Sequence, residues 1–550
     1  MHRLDESEAQ VGSIKGLAKH PVMNTGWRNC IPAALLLIFW LTCFFSMQRL
    51  SLTADEAKHY RYGQDILAGN STRFDDSKMP VSALNALPAH LAKALPTSSL
   101  QTWLQKFEVA RLMTVLFSIL IGLVIFSWAM EMYGFTPALA ALALYLFDPN
   151  IIAHSQLVTT DIYAAGTILL ATYALWRFAR SRRLGNGLLC ALLLGLSLLA
   201  KYTSVVLLPL FALTLLIHDW PATAANGKRA LAGLLGRVLG YGLAALVVCI
   251  LVINTGFLFN RSFMLFGAYD FQSTTFQTLQ RSLLTGIPVP ISYPFLQGLD
   301  LVLMRDQTGL GHGLVYLLGN LKNGGIPGYY FVDYLLKEPL ASQVLLVAAL
   351  VIYFMRKKYR TFRQNELFLF IPVIFFVIYF NFFYNTQIGI RYYLVIFPFL
   401  FVFTGSLLQE WAGWRAPQKT ILIALAAWLL ISSYSYMPFF LSYMNEIVPD
   451  RKMAYKYLAD SNLDWEQGKL YLKSYMAAHP QADYEPKTVK SGQIVVSVNA
   501  LVGVLGDPNQ YAWLRQNFEP VDNIAYEYLV YHLSAEQIKQ LCARTTACSP

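Results

Sequence analysis

Long apolar runs alternate with short polar connections along most of the chain. A membrane-spanning helix needs about 20 apolar residues to cross a hydrocarbon core of about 30 Å. The first run, Ile31–Met47, follows thirty mostly polar residues, as in an uncleaved anchor rather than a signal peptide. Ten later runs begin near Phe107, Pro137, Leu157, Gly187, Ser204, Leu231, Leu340, Leu367, Ile388 and Ile421. The pattern predicts eleven transmembrane helices over residues 31–438, with Gly187–His218 forming two short helices or one kinked helix.

Composition supports this class of protein. Of the 550 residues, 56% are hydrophobic and 14% are charged, whereas soluble proteins carry about 25% charged residues. This excludes an ordinary soluble enzyme and a disordered chain. No internal repeat is evident in the sequence, although many transporters have one.

The placement of basic residues predicts the orientation. The net charge is +11, and cytoplasmic loops carry an excess of Lys and Arg. With eleven spans, residues 1–30 and all the basic clusters lie in the cytoplasm, while Gln48–Gln105, Gly256–Pro339 and the chain after Pro438 lie outside. A basic balance confined to loops indicates topology rather than nucleic-acid binding. The clusters after the N-terminus are Arg177/Arg180/Arg182/Arg183, Lys228/Arg229/Arg237, Arg356/Lys357/Lys358/Arg360/Arg363 and Arg415/Lys419.

The C-terminal segment 439–550 differs from the rest of the chain. It has ten Lys and Arg against twelve Asp and Glu, a net charge of −2. Lys469–Ala478 has a helical pattern, while Gln493–Val498 and Tyr528–His532 are typical of strands. We expect a small extracytoplasmic α/β domain, which either packs on the outer loops, with Asp460–Trp465 at that contact, or forms an inert appendage.

The six cysteines do not define a disulfide framework. Four lie in or beside apolar runs, where buried free thiols are expected: Cys30, Cys43, Cys190 and Cys249. Cys542 and Cys548 are able to pair if the C-terminal segment faces an oxidising compartment.

Three acidic residues are predicted to lie near the outer surface. Asp55 and Glu56 follow the first span, and Asp161 lies at the outer end of the fourth. An acid pair at a membrane exit is usually a solvated loop start, and an acid in a first helical turn is favoured by capping and by the helix dipole. A role as a catalytic base is the alternative, and the residues alone leave both open.

Several cations occupy unfavourable predicted positions. Arg111, Lys337 and Arg391 are predicted at the N-termini of spans that run inward, against both the helix dipole and the positive-inside rule. Snorkelling to the headgroups is one explanation. A shared anionic partner, such as a lipid phosphate, is the other, and Lys78 and Lys201 are further candidates.

Motifs for nucleotide or metal binding are missing from the sequence. There is no Walker loop, dinucleotide fingerprint or GxSxG elbow. His59, His154 and His312 lack metal-ligand spacing, so no metal site is predicted from them.

Taken in order, these residues and their neighbours resemble the membrane glycosyltransferases that use a polyprenyl-phosphate sugar. This class contains the protein O-mannosyltransferases and the lipid A aminoarabinose transferases. The resemblance spans nearly the whole chain through short motifs. They are Asp55-Glu56, Lys78-Met79-Pro80, Arg111, Asp148–His154 leading to Thr159-Thr160-Asp161, Lys201-Tyr202-Thr203, Gly389–Tyr393, Leu441–Glu446 and Asp460–Trp465.

The resemblance implies an all-α polytopic GT-C type fold with its active site at the outer face, under long outer loops. It also implies that Asp55, the first residue of the acid pair, is the catalytic residue and that Asp161 matches the second conserved carboxylate of that family. One departure concerns the first outer loop. Relatives often carry His-Pro-Pro or Lys-Pro-Pro where this chain has Lys78-Met79-Pro80.

Sugar transfer from a lipid phosphate to a hydroxyl needs a general base and charge stabilisation of the leaving phosphate. We therefore expect an inverting transfer with a catalytic set of Asp55, Glu56 and Asp161. The predicted phosphate-binding residues are Lys78, Arg111, Lys201, Lys337 and Arg391. Arg111 either contacts the donor or orients Asp55, and Asp161 orients the acceptor or the base. No cofactor is expected to be required, and a divalent metal is the alternative.

The predicted partners are a polyprenyl-phosphate sugar, a protein Ser/Thr or glycolipid acceptor, and the inner or plasma membrane. No nucleic-acid partner is expected. A lipid or solute transporter, or flippase, is the competing class, and a scaffold that presents the C-terminal segment is a third.

Overall fold

A computed structural model describes residues 25–70, 78–224, 227–281, 285–309, 313–357 and 361–544. Helices dominate its first half. They are α1 (Thr25–Met47), α2 (Glu56–Leu67), α3 (Ala83–Ala92), α4 (Ser99–Leu104), α5 (Phe107–Tyr133), α6 (Phe135–Phe147), α7 (Pro149–Ser155), α8 (Asp161–Ser181), α9 (Leu184–Leu198), α10 (Leu207–Ala224) and α11 (Lys228–Gly256).

The second half adds short strands to the helices. Its helices are α12 (Thr274–Gln280), α13 (Tyr293–Thr308), α14 (Tyr329–Lys337), α15 (Leu340–Met355), α16 (Leu367–Phe382), α17 (Phe397–Gly405), α18 (Ala416–Tyr434), α19 (Lys469–Ala478), α20 (Val498–Val502), α21 (Ala512–Asn517) and α22 (Ala535–Arg544). Its strands are β1 (Val315–Leu317), β2 (Asn320–Lys322), β3 (Asp483–Tyr484), β4 (Gly492–Ser497), β5 (Asp522–Ile524) and β6 (Tyr528–Leu533).

Seven helical segments in the described residues are long and apolar enough to cross a membrane, and nine are if each of two bent pairs counts as one span. This confirms a multi-pass membrane protein. The shorter apolar helices α9 and α16 lie where two further spans are predicted, and the total of eleven stays a prediction. In the Gly187–His218 region the structure has two helices, α9 and α10, rather than one kinked helix.

The two bent pairs have local causes. Helix α7 meets α6 at 63°, because the Asp148 side chain accepts a hydrogen bond from the Ile151 amide at 2.8 Å and Pro149 occupies the first helical position. Helix α15 meets α14 at 111°, and Pro339 lies at that break.

The structure corrects the predicted position of one cation. Lys337 is the last residue of α14 rather than the start of a span. A cation at a helix C-terminus is favoured by the helix dipole, so Lys337 does not carry the electrostatic penalty that the sequence suggested.

The C-terminal segment contains the predicted helix Lys469–Ala478 as α19, with strands β4 and β6 at the predicted positions. Four strands form a sheet in the order β3-β4-β6-β5. Val496 on one face belongs to the same hydrophobic core as Trp128 of the bundle, while Val495 on the other face packs with residues of α19. The sheet therefore lies between α19 and the bundle, and the predicted boundary at residue 439 stays a prediction.

Three of the four cysteines expected to be buried are buried, and Cys30 is not. Cys43, Cys190 and Cys249 are buried free thiols, while Cys30 is free but exposed. Cys542 is disulfide-bonded, and Cys548 lies outside the described residues.

Candidate active site

A polar cavity of about 480 Å³ lies where α2, the start of α8 and the loops before α10 and α17 meet. Its charged lining comes from segments that are far apart in sequence. The charged residues are Asp55, Lys58, Lys78, Asp161, Lys201, Arg305 and Arg391. The cavity thus brings together five of the eight residues predicted for the site.

Asp55 and Arg391 form an ion pair in this cavity. Arg391 donates to the Asp55 carboxylate at 3.2 Å. Burial acts to raise the pKa of Asp55, but the positive charges of the nearby Arg391 and Lys78 outweigh it and hold the pKa below its ordinary value. Asp55 is therefore ionised at neutral pH, as a proton acceptor must be.

Arg391 is held in a defined position. Its guanidinium lies 4.1 Å from the centroid of the Trp465 ring, a cation–π arrangement. Its Nε is buried and has no hydrogen-bond partner among the described residues. Gly389 precedes it with a φ of 119°, in a region that favours glycine.

Asp161 and Lys201 form a second ion pair across the cavity, at 2.7 Å. Asp161 is the first residue of α8, where the helix dipole favours an acid, and it also lines the cavity. The Lys201 ammonium lies 3.9 Å from the centroid of the Tyr392 ring. A structural role for Asp161 in the first turn of α8 and a role in the site are therefore compatible.

His59 is a neutral imidazole beside these charges. It is buried in α2, and burial together with the neighbouring Lys78 lowers its pKa to about 3. Its Nδ1 lies 3.4 Å from the Ser82 hydroxyl. His59 is therefore uncharged at neutral pH.

Glu56 and Arg111 lie outside the cavity, in contrast to the predicted catalytic and phosphate-binding roles. Arg111 binds both oxygens of Glu56, at 2.8 and 2.6 Å. The guanidinium also donates to the carbonyls of Met47, Leu50 and Ser51, while Glu56 accepts from the amides of Thr53 and Val158. Both side chains are buried, so this pair fixes the loop that carries Asp55.

Lys337 is also away from the cavity, in contrast to its predicted phosphate contact. It is completely buried. Its ammonium donates to the carbonyls of Leu441 and Asn462, at 2.7 and 2.8 Å. Lys337 therefore joins α14 to the C-terminal segment.

Two charged residues of the site were not predicted, Lys58 and Arg305, and both line the cavity. Trp465, which lies beneath Arg391, ends the Asp460–Trp465 motif of the sequence. Lys58 follows Asp55 by three residues, one helical turn, so this spacing was a usable signal. Arg305 belongs to α13 in the second outer loop, where nothing in the local sequence distinguishes it.

The electrostatics of the cavity favour an anionic ligand. Among the described lining residues, five cations face two carboxylates. Arg suits directed contacts to phosphate oxygens, while Lys acts as a point charge. No group of three or more metal-ligating side chains occurs within the described ranges. His312 lies outside them.

Part of the chain matches a known protein family, and its fold is similar to solved structures. Residues 99–240 match the family described as dolichyl-phosphate-mannose-protein mannosyltransferase. The chain is similar to ArnT from Cupriavidus metallidurans bound to undecaprenyl phosphate, with 13% identity and a TM-score of 0.45 over 92% of this chain and 98% of that chain. It is also similar to the oligosaccharyltransferase AglB from Archaeoglobus fulgidus in complex with an inhibitory peptide and a dolichol-phosphate. There the identity is 13% and the TM-score 0.45, over 82% of this chain and 60% of that chain.

No curated protein matches the chain. The family match confirms the predicted resemblance to membrane glycosyltransferases that use a polyprenyl-phosphate sugar. It indicates a glycosyltransferase, and it does not favour the transporter alternative.

Proposed function

We propose that this protein transfers a sugar, with inversion, from a polyprenyl-phosphate donor to a hydroxyl acceptor, and that Asp55 is the general base. The observation that carries this proposal is the cavity in which an ionised carboxylate, Asp55, faces five cations. A phosphate leaving group needs no protonation by a second carboxylic acid, in contrast to glycoside hydrolysis. One base and several cations therefore match the reaction.

In the proposed step, Asp55 accepts the proton of the acceptor hydroxyl. The acceptor oxygen forms a bond to the anomeric carbon, and the bond from that carbon to the phosphate oxygen breaks. The electron pair leaves on the lipid phosphate, whose negative charge increases by one. The cations of the cavity stabilise this developing charge because the fold already holds them around the site.

Each charged residue has a proposed role. Lys78, Lys201 and Arg391 bind the donor phosphate, with Lys58 and Arg305 as further contacts from the same cavity. Asp161 holds the Lys201 ammonium through their ion pair at 2.7 Å. Arg111, Glu56 and Lys337 are positioning residues, because the groups they bind belong to the loop and segment around Asp55 and Arg391.

The site is proposed to open at the outer face of the inner or plasma membrane, with residues 1–30 in the cytoplasm and the C-terminal segment outside. The positive-inside distribution of Lys and Arg supports this orientation. The acceptor is a protein Ser/Thr or a glycolipid.

The Asp55→Asn variant tests the assignment. Asparagine keeps the shape of the side chain but does not act as a base, so we expect transfer to fall by about 100-fold or more, with folding and donor binding largely retained. The assay follows a radiolabelled polyprenyl-phosphate sugar passing to candidate acceptors. Asp65→Asn, also on α2, is the matched control, and full activity of Asp55→Asn contradicts the proposal.

A further inference from the structure

The turn formed by residues 460–467, here the 460–467 segment, contacts the loop that carries Asp55. The Ala54 amide donates to the Trp465 carbonyl at 3.2 Å, and the Ser51 amide donates to the Gln467 carbonyl at 2.9 Å. Ala54 directly precedes Asp55. These two hydrogen bonds therefore fix the backbone from which the Asp55 carboxylate projects.

The same segment also contacts residues 388–390, which directly precede Arg391. The Ile390 amide donates to the Asn462 side-chain oxygen at 3.0 Å, and the Ser461 hydroxyl donates to the Ile388 carbonyl. A Cβ on Gly389 would lie only 2.8 Å from the Ser461 hydroxyl oxygen, so the backbone at Gly389 lies close to the 460–467 segment. Ile390 directly precedes Arg391, and the Trp465 ring lies beneath its guanidinium.

The 460–467 segment is itself held firmly. Asn499, at the start of α20, makes three hydrogen bonds to it: it accepts from the Asp460 amide at 2.8 Å and donates to the Asp464 side chain and carbonyl at 3.0 and 2.9 Å. Lys337 bonds the Asn462 carbonyl from the opposite side. Asp460 and Glu466 have left-handed φ values of 56° and 72°, a strain that persists only where surrounding contacts hold the backbone.

We infer that the 460–467 segment is a positioning element of the active site, which sets the distance between Asp55 and Arg391 by binding the residue before each of them. This inference rests on the proposed function. It makes the C-terminal segment part of the catalytic machinery, in which Trp465, Ser461 and Asn462 act through Asp55 and Arg391 without contacting the acceptor.

The test compares Trp465→Leu, Trp465→Phe and the control Trp513→Leu in the full-length protein. Trp513 is also a buried tryptophan of the C-terminal segment, and it packs against Phe518. The measurements are kcat, the donor KM and the acid limb of the pH profile of kcat/KM. The limb is informative because Arg391 acts on the ionisation of Asp55.

We expect Trp465→Leu to lower kcat by about 10- to 100-fold, since misplacement of about 1 Å costs about that much, and to move the acid limb to higher pH. Trp465→Phe keeps an aromatic face under Arg391, so its kcat and the position of its acid limb should stay close to those of the wild type. Trp513→Leu should leave the limb in place. If Trp465→Leu does not fold, Ser461→Ala replaces it in the test. This variant removes one hydrogen bond, and we expect kcat to fall by about three- to tenfold.

The positioning role is overturned if Trp465→Leu keeps the acid limb at its wild-type position and has the same kcat as Trp513→Leu. It is also overturned if Ser461→Ala has the wild-type kcat and the wild-type acid limb. Failure of the proposed function gives a different result, because Asp55→Asn itself then remains active.

Discussion

Asp55 and Glu56 are neighbours in the chain and have opposite environments. Asp55 faces the cavity and is paired at 3.2 Å with Arg391, whereas Glu56 is completely buried against Arg111. Asp55 is the residue before the first turn of α2 and Glu56 the first residue within it, so their side chains leave the backbone in different directions. At the residue scale, the acid pair divides into one proposed base and one positioning group.

The lowered pKa of Asp55 gives a pH-dependent prediction. Burial opposes ionisation, while Arg391 and Lys78 favour it. Asp460 lies near the same group, and burial raises its own pKa to about 7, so it is protonated in this acid range. The ionised form therefore stabilises the fold above the ordinary pKa of Asp, and this stability is lost as the pH falls through the lowered pKa. We expect the acid limb of kcat/KM to lie below about 4.

In Lys78→Met, one cation that favours ionisation is removed while burial is retained. The pKa of Asp55 should rise, and the acid limb should move to higher pH. Lys93→Met, an exposed lysine of the same outer loop, is the control. A limb that stays in place in Lys78→Met argues against Asp55 as the base that the profile reports.

At the scale of elements, the turn before α17 is shaped by a single glycine. Gly389 has a φ of 119°, and a Cβ there meets the Ser461 hydroxyl oxygen at 2.8 Å and the Asn462 side-chain oxygen at 3.1 Å. Both the backbone conformation and the close approach exclude a larger residue. The 3₁₀ segment Ile390–Ile396, which carries Arg391, begins directly after it.

Gly389→Ala should therefore displace Arg391 or separate it from the 460–467 segment. We expect destabilisation of about 1–3 kcal/mol from the strained φ, together with a loss of transfer activity. Thermal unfolding in detergent and the transfer assay measure the two effects. Gly233→Ala, at a helical glycine with open space around its Cβ position, should be neutral or stabilising, and equal behaviour of the two variants contradicts the prediction.

At the scale of the whole molecule, the C-terminal sheet and the helix bundle share one hydrophobic core. Lys337 and the 460–467 segment join the two parts with hydrogen bonds close to the cavity. The C-terminal segment is therefore expected to form one unit with the bundle and to lie on the same side of the membrane as the site.

Cysteine labelling in intact cells tests this orientation. In a Cys30→Ser background, a cysteine introduced at the exposed Ser491 should react with a membrane-impermeant thiol reagent. A cysteine at the exposed Ser181, in a predicted cytoplasmic loop, should react only after the membrane is opened. The reverse pattern places the proposed active site in the cytoplasm and contradicts the topology.

The sequence alone determined the class of protein and the position of most elements. The bilayer thickness requires long apolar runs, and this requirement is local in sequence. The starts of α5, α15 and α16 and the bounds of α19 follow directly from such local patterns. The candidate charges also came from local exceptions to these rules, and five of them line one cavity.

Only the tertiary structure decided which charges act together. Asp55 and Arg391 are 336 residues apart, and Glu56 and Arg111 are 55 apart. Pairing over such distances depends on how the helices pack, and no local pattern specifies it. The sequence therefore did not reveal the partners of Arg111 and Lys337. Both had the sequence features of phosphate ligands, but their hydrogen bonds go to carboxylate and carbonyl groups of the protein itself.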